Sequence, residues 1–163
     1  MIINYSDKPV IKTKNSIFLA GPTPRSKDIP SWRNEALKIL KDMQYNKVVY
    51  VPELENDNRD FDYMNQVEWE REALYNAGRI IFWVPREVVN MPGFTTNVEF
   101  GYWLAKDPNK VYYGRPEDAD KIKYLDWLYT KETGRYTTRH LDMLIKLAVN
   151  SLEEWINSNK FGH

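Results

Sequence analysis

The 163-residue sequence contains no cysteine, which removes disulfides, thiolate metal sites, iron–sulfur clusters and cysteine nucleophiles together. It also has no excess of charge: 23 basic residues balance 23 acidic ones. A balanced chain has no general attraction for nucleic acid or anionic lipid, so neither is expected as a partner. No apolar run approaches the ~20 residues that span a bilayer. The first 20 residues alternate charged and apolar side chains without a signal-peptide core. A soluble, cytoplasmic protein is the expectation. Histidine is scarce as well: His140 falls at a helix start and His163 is the last residue, and neither makes a metal site. Asp57, Asp60 and Asp62 match no calcium-loop spacing and read as a solvated acidic loop. No metal and no cofactor are expected.

Familiar catalytic motifs are missing too. Gly21-Pro22-Thr23-Pro24-Arg25-Ser26 is neither a P-loop nor a dinucleotide fingerprint, and its two prolines remove N–H donors that a phosphate cradle would use. No G-x-S-x-G elbow is present, which argues against a serine hydrolase of the α/β kind. A phosphoacceptor receiver needs an acidic pair after its first strand and an aspartate after its third. The corresponding strands here end in Ala20-Gly21 and Val84-Pro85, so that reading fails.

What is present is apolar and aromatic. Hydrophobic residues make up 42% and aromatics 14%, with six tryptophans. That suffices for one domain over residues 1–163, able to bury a little under ~70% of its unfolded surface. The aromatic surplus also suits subunit interfaces and stacking on planar ligands. Ser16-Ile17-Phe18-Leu19-Ala20 reads as a buried strand stopped by Gly21-Pro22. Ser31 is placed to cap a helix whose face is Trp32, Ala36, Leu37, Leu40 and Met43. Val48 to Val51 is a second strand, followed by the acidic stretch 53–62 and a helix over roughly 63–77. Arg79 to Val84 is the third strand. Thr95-Thr96 reads as the cap of a helix beginning near Asn97, and Val111-Tyr112-Tyr113 is the fourth strand. The rest is helical: Asp118 opens one helix, and Leu141, Leu144, Ile145, Ala148, Leu152 and Trp155 form the stripe of another. This alternation predicts an α/β fold with a parallel sheet covered on both faces and a C-terminal helical extension. Ligands bind such sheets beyond the carboxyl ends of the strands, which selects loops 21–31, 52–62 and 85–98.

One constellation stands at the third of these loops: Thr95-Thr96-Asn97-Val98-Glu99-Phe100-Gly101. With the helix starting near Asn97, Glu99 falls in its first turn, where the helix dipole favours an ionised carboxylate. Such a group either attacks a sugar carbon or merely complements the dipole, and spacing alone does not choose.

The wider sequence resembles the nucleoside 2-deoxyribosyltransferase family, in particular its "-like" branch. The matching text is Phe18-Leu19-Ala20-Gly21-Pro22-Thr23-Pro24-Arg25, Ser31-Trp32-Arg33 with Ala36-Leu37, Val51-Pro52-Glu53, Gln66 with Trp69-Glu70, Ile81-Phe82-Trp83-Val84-Pro85-Arg86, Val98-Glu99-Phe100-Gly101, Gly114-Arg115-Pro116 and Ile122-Lys123-Tyr124-Leu125. It covers roughly residues 16–128 in order. The resemblance implies a flavodoxin-like sheet and cleavage of the N-glycosidic bond of a 2′-deoxynucleoside. Glu99 is the implied nucleophile, forming a glycosyl ester that a second base, or water, resolves. The departing base needs an acid or amide facing it. Many members carry an aspartate just before the third strand, in an Asx-Asp pair that the resemblance makes base-facing; Ala77-Gly78 stands there instead. Glu70 is the next candidate acid, with a helix-surface role as its alternative. Gly21, Pro22, Thr23, Arg25 and Ser26 are expected to form the sugar-side wall, and Trp69 to stack on the base. Asn97 is expected to orient substrate or cap its helix. Arg33 is read as pairing with Glu35 or Glu53 or with substrate, and Trp83 as core.

These readings converge on a deoxyribosyltransferase acting on a small nucleoside or nucleotide and a free nucleobase. A homo-oligomer, dimer or hexamer, is expected, because relatives complete their pocket with a neighbouring subunit. An N-hydrolase on the same scaffold and a nucleotide-binding sensor without catalysis are the alternatives.

Overall fold

The computed structural model describes residues 1–26, 28–55 and 62–160; Asp57, Asp60 and His163 lie outside them. Five strands form one parallel sheet: β1 (Ile2–Tyr5), β2 (Ser16–Ala20), β3 (Val48–Val51), β4 (Arg79–Trp83) and β5 (Val111–Gly114). Their spatial order is β1-β3-β2-β4-β5, with Phe18 opposite both Tyr50 and Ile80, and Ile80 opposite Val111. Five helices cover the sheet: α1 (Trp32–Asp42), α2 (Tyr63–Asn76), α3 (Phe94–Lys106), α4 (Lys123–Thr133) and α5 (Leu141–Lys160). This is the expected α/β, flavodoxin-like arrangement, with the C-terminal helix in place.

Strands β2 to β5 are largely apolar because both of their faces are covered. Ile17, Leu19, Val49, Val51, Ile81 and Trp83 point to one face, against α1 and α5. Phe18, Ala20, Tyr50, Ile80 and Phe82 alternate to the other, against α2, α3 and α4. Trp83 is core, as read from the sequence.

Several boundaries differ from expectation. β1 was not anticipated: it is an edge strand pairing only with β3, and Asn4 is its one buried side chain. Asn4 Nδ2 donates to the Pro9 carbonyl, and Asn4 Oδ1 accepts from the Ile11 N–H, so the strand's character is polar and local. α4 begins at Lys123 rather than at Asp118. On α5 the buried stripe ends on Ile156, while Trp155 faces out. The most consequential shift is at α3. Gly93, in the left-handed region (φ 63°), is its N-cap, and the helix starts at Phe94. Glu99 therefore lies in the second turn, not the first.

Candidate active site

The strand order reverses between β2 and β4: from β2 the chain turns back through α1 to β3, and from β4 it proceeds through α3 to β5. The two departing loops leave a crevice over the carboxyl ends of β2 and β4. A cavity of about 280 Å³ occupies it. Gly21, Pro22, Thr23 and Arg25 form one wall, Tyr63, Gln66, Val67 and Glu70 of α2 a second, and Gly93, Phe94, Thr95, Thr96 and Glu99 the third.

The first wall is held by Arg33, which is 1% exposed. Its Nε donates to the Leu19 carbonyl at 2.9 Å, and its Nη2 to the Gly21 carbonyl at 2.7 Å. Nη1 donates to Thr23 Oγ1 at 3.1 Å and to Glu53 Oε1 at 2.7 Å. Trp32 Nε1 adds a bond to the Pro22 carbonyl at 3.1 Å. Ser31 caps α1 as expected and donates to the same Glu53 carboxylate. Of the partners considered from sequence, Glu53 is the one the fold supplies. Gly21 is required twice over: its φ is +149°, and a Cβ there would lie 2.1 Å from the Trp83 carbonyl oxygen.

Glu70 and Glu99 line the same cavity from α2 and α3, near enough for each carboxyl to shift the other's acidity. Gln66 Nε2 donates to Glu70 Oε1 at 2.9 Å, and reaches the Pro52 carbonyl at 3.4 Å. Desolvation, and then the Glu70 charge, push the Glu99 carboxyl up to about 8; the Arg33 guanidinium opposes this and is outweighed. Burial raises Glu70 as well, against the Gln66 bond and Arg33. Two like carboxyls facing one cavity cannot both ionise cheaply, so burial and the neighbouring charge both favour keeping a proton on the pair. This corrects the expectation of a dipole-stabilised Glu99 carboxylate. One turn further into α3, the side chain is mostly out of water and faces another acid.

Not every predicted residue reaches the cavity. Trp69 is 7% exposed and packs its indole against Phe18 and Tyr50, with ring centroids at 6.3 Å; Nε1 donates to the Lys8 carbonyl at 2.7 Å. Neighbouring positions on a helix point about 100° apart, so Glu70 turns to the cavity and Trp69 to the core. Asn97 faces away from the cavity and accepts from Arg86, neither capping α3 nor lining the crevice. Ser26 is engaged with Asp28, outside the lining. Arg25 stands at the rim, its backbone N–H bonded to the Asn90 carbonyl. Tyr63, Gln66, Phe94, Thr95 and Thr96 line the cavity without having been singled out as site residues. For Gln66 a signal existed, since its i,i+4 spacing to Glu70 puts both on one face of α2.

The position before β4 is also resolved. Ala77-Gly78 lies at the amino edge of the sheet, a full strand of ~16 Å from the carboxyl edge at ~3.3 Å per residue. A Cβ on Gly78 would sit 2.1 Å from the Lys14 carbonyl oxygen and 2.6 Å from Leu152 Cδ1. The lack of an aspartate there therefore takes nothing from this cavity. Among the described residues no cluster of acids and histidines is placed to hold a metal ion, and no helix is long and apolar enough to cross a membrane.

Fold and site together define a doubly wound α/β protein with a carboxyl pair at its topological switch point. The family model described as nucleoside 2-deoxyribosyltransferase like matches residues 14–117, and the chain belongs to that family. The match runs from just before β2 to just after β5 and leaves β1, α4 and α5 outside. No curated protein matches the sequence.

Proposed function

We propose that the protein cleaves the N-glycosidic bond of a 2′-deoxynucleoside and transfers the sugar to a second base, with Glu99 as nucleophile and Glu70 as acid and base. The observation that carries this reading is the pair itself: two carboxyls facing one cavity can supply one nucleophile and one acid together. In the first step a Glu99 carboxylate oxygen bonds to the anomeric carbon as the carbon–nitrogen bond breaks. The bonding electrons pass to the base nitrogen, which takes the proton from Glu70. In the second step the incoming base nitrogen attacks the same carbon, its proton returns to Glu70, and the ester bond breaks to restore the Glu99 carboxylate.

Retaining glycoside chemistry places its two carboxyls ~5–5.5 Å apart with the substrate between them, so substrate entry separates a proton on Glu70 from a charge on Glu99. Arg33, whose positive charge favours ionisation of both carboxyls, assists that separation from behind the first wall. Thr23 and Arg25 are suited to the sugar hydroxyls. Tyr63, 70% exposed, and Phe94, 72% exposed, stand at the mouth; a second copy of the chain covering them fits a homo-oligomer with a completed pocket.

The test is intact-protein mass spectrometry after mixing with deoxynucleosides and their monophosphates, while released base is followed by chromatography. A deoxyribosyl adduct that disappears in Glu99→Ala is expected. A second base should appear in a new nucleoside; sugar appearing only as the free hydrolysis product would replace transfer by hydrolysis. Absence of base release from every compound would leave a binding protein.

A further inference from the structure

A second hollow of about 300 Å³ runs between α2 and α3. Val67, Glu70, Thr95 and Glu99 line both it and the crevice, so the carboxyl pair stands at the junction of the two. Their chemistry differs sharply. The crevice offers Thr23, Arg25, Arg33 and Gln66, whereas the groove beyond the pair is walled by Leu74, Tyr75, Val98, Tyr102 and Trp103. Leu74 and Trp103 are buried beneath it, while Val98 stays 72% exposed on its flank. Arg71 lies over the Tyr75 ring at 5.5 Å, and the Tyr75 and Tyr102 hydroxyls bond to each other across the far end, joining the two helices.

We propose that this groove receives an apolar or aromatic substituent carried by the nucleobase, so that the favoured bases are those substituted on the edge remote from the sugar. The proposal rests on the glycosidic reading above, because it takes the reacting bond to lie at the carboxyl pair, with sugar on the polar side. Polar walls suit a sugar and its hydroxyls, and the base must touch Glu70 to accept its proton. A group extending past Glu70 then passes between α2 and α3 and meets mainly aliphatic and aromatic side chains, with Arg71 along one edge. Room is sufficient: an apolar cavity of ~150 Å³ holds benzene, and the groove has about twice that volume. Tyr75 and Tyr102, tied together, close its end beneath the Arg71 and Lys106 cations, so a cationic substituent is disfavoured there.

The experiment compares kcat/KM for base release from deoxyadenosine and from deoxyadenosine bearing a benzyl group on its exocyclic amine, in the parent protein and in Val98→Trp. Val98 is a solvent-facing helix position, so the larger side chain can be added without disturbing the core. A preference of about tenfold or more for the substituted compound is expected from burying a ring in an apolar pocket, falling to near unity in Val98→Trp. Equal constants in the parent, or a preference unchanged by Val98→Trp, overturn the groove assignment while base release leaves the glycosidic reading standing. If neither compound releases base, the glycosidic reading fails instead, and calorimetric binding of the two compounds judges the groove alone. Tighter binding of the benzyl compound, lost in Val98→Trp, supports it, and equal binding overturns it.

Discussion

Replacing Glu70 by glutamine isolates the confrontation of the two carboxyls, because the amide keeps the shape and can serve both neighbours. Its oxygen accepts from Gln66 Nε2, as Glu70 Oε1 does at 2.9 Å, and its NH2 donates to Glu99. Glu99 sits at about 8 against an ordinary 4.5, chiefly through desolvation and next through Glu70. At ~1.4 kcal/mol per tenfold change in acidity, that displacement corresponds to a ceiling on the order of 5 kcal/mol. Desolvation survives the substitution, so roughly 2 kcal/mol should be recovered, within the ~4 kcal/mol that two close charges cost at an effective dielectric of 20. The sign follows from proton binding. A carboxyl whose acidity is weakened by folding holds its proton in the native state and loses it on unfolding. Its contribution is therefore fully present below about 4.5 and is lost as pH rises through about 8. Glu70→Gln should melt close to the parent near pH 5 and some ~4–8 °C above it at pH 8.5, at ~2–4 °C per kcal/mol for a chain of this size. Base release should fall by ~10²–10⁴-fold with loss of the acid. Melting curves across pH 5–9 decide the matter. A difference between variant and parent that stays constant over that range, or a variant less stable at high pH, would show that the two carboxyls do not confront each other.

Three further outcomes are expected. Arg33→Met strips a buried cation from Glu53 and from the carbonyls of Leu19 and Gly21; denaturant titration should show a loss of about 3 kcal/mol or more, and less than 1 kcal/mol would deny Arg33 its anchoring role. Gly78→Asp puts a Cβ 2.1 Å from the Lys14 carbonyl oxygen, so a steep fall in melting temperature is expected with no gain in base release; a stable, faster variant would overturn the placement of this position at the amino edge. Trp69→Phe removes the indole bond to Lys8 and should cost ~1–2 kcal/mol of stability, with the KM for nucleoside within about twofold of the parent; a tenfold rise would return Trp69 to the base site.

The sheet was largely legible because each of its four inner and far-edge strands is a continuous apolar run closed by glycine or proline. β1 escaped because it pairs on one side only and buries one polar side chain, which leaves no apolar pattern to read. The start of α3 was misplaced by the pull of Thr95-Thr96. Hydroxyl side chains are good caps, yet Gly93 adopts the left-handed conformation and begins the helix sooner. That error of three residues carried the electrostatic error with it, since Glu99 moved from a dipole-exposed first turn to a buried second turn facing an acid.

The proposed base-facing acid shows why topology had to decide. In the sequence, the position before the third predicted strand and the Glu70 position are close neighbours, and the absence of an aspartate at Ala77-Gly78 reads as a deficit. In the fold they part. α2 runs antiparallel to the strands it precedes, so its first half lies by the carboxyl edge and its last residues deliver the chain to the amino edge of β4. Glu70, mid-helix, still reaches the crevice, whereas Gly78 is packed beneath Lys14 and Leu152. A carboxyl mid-way along α2 can thus line the crevice, and one at the helix end cannot. The acid that the proposed N-glycosidic cleavage requires is available from a position that linear spacing ranks second and helix geometry ranks first.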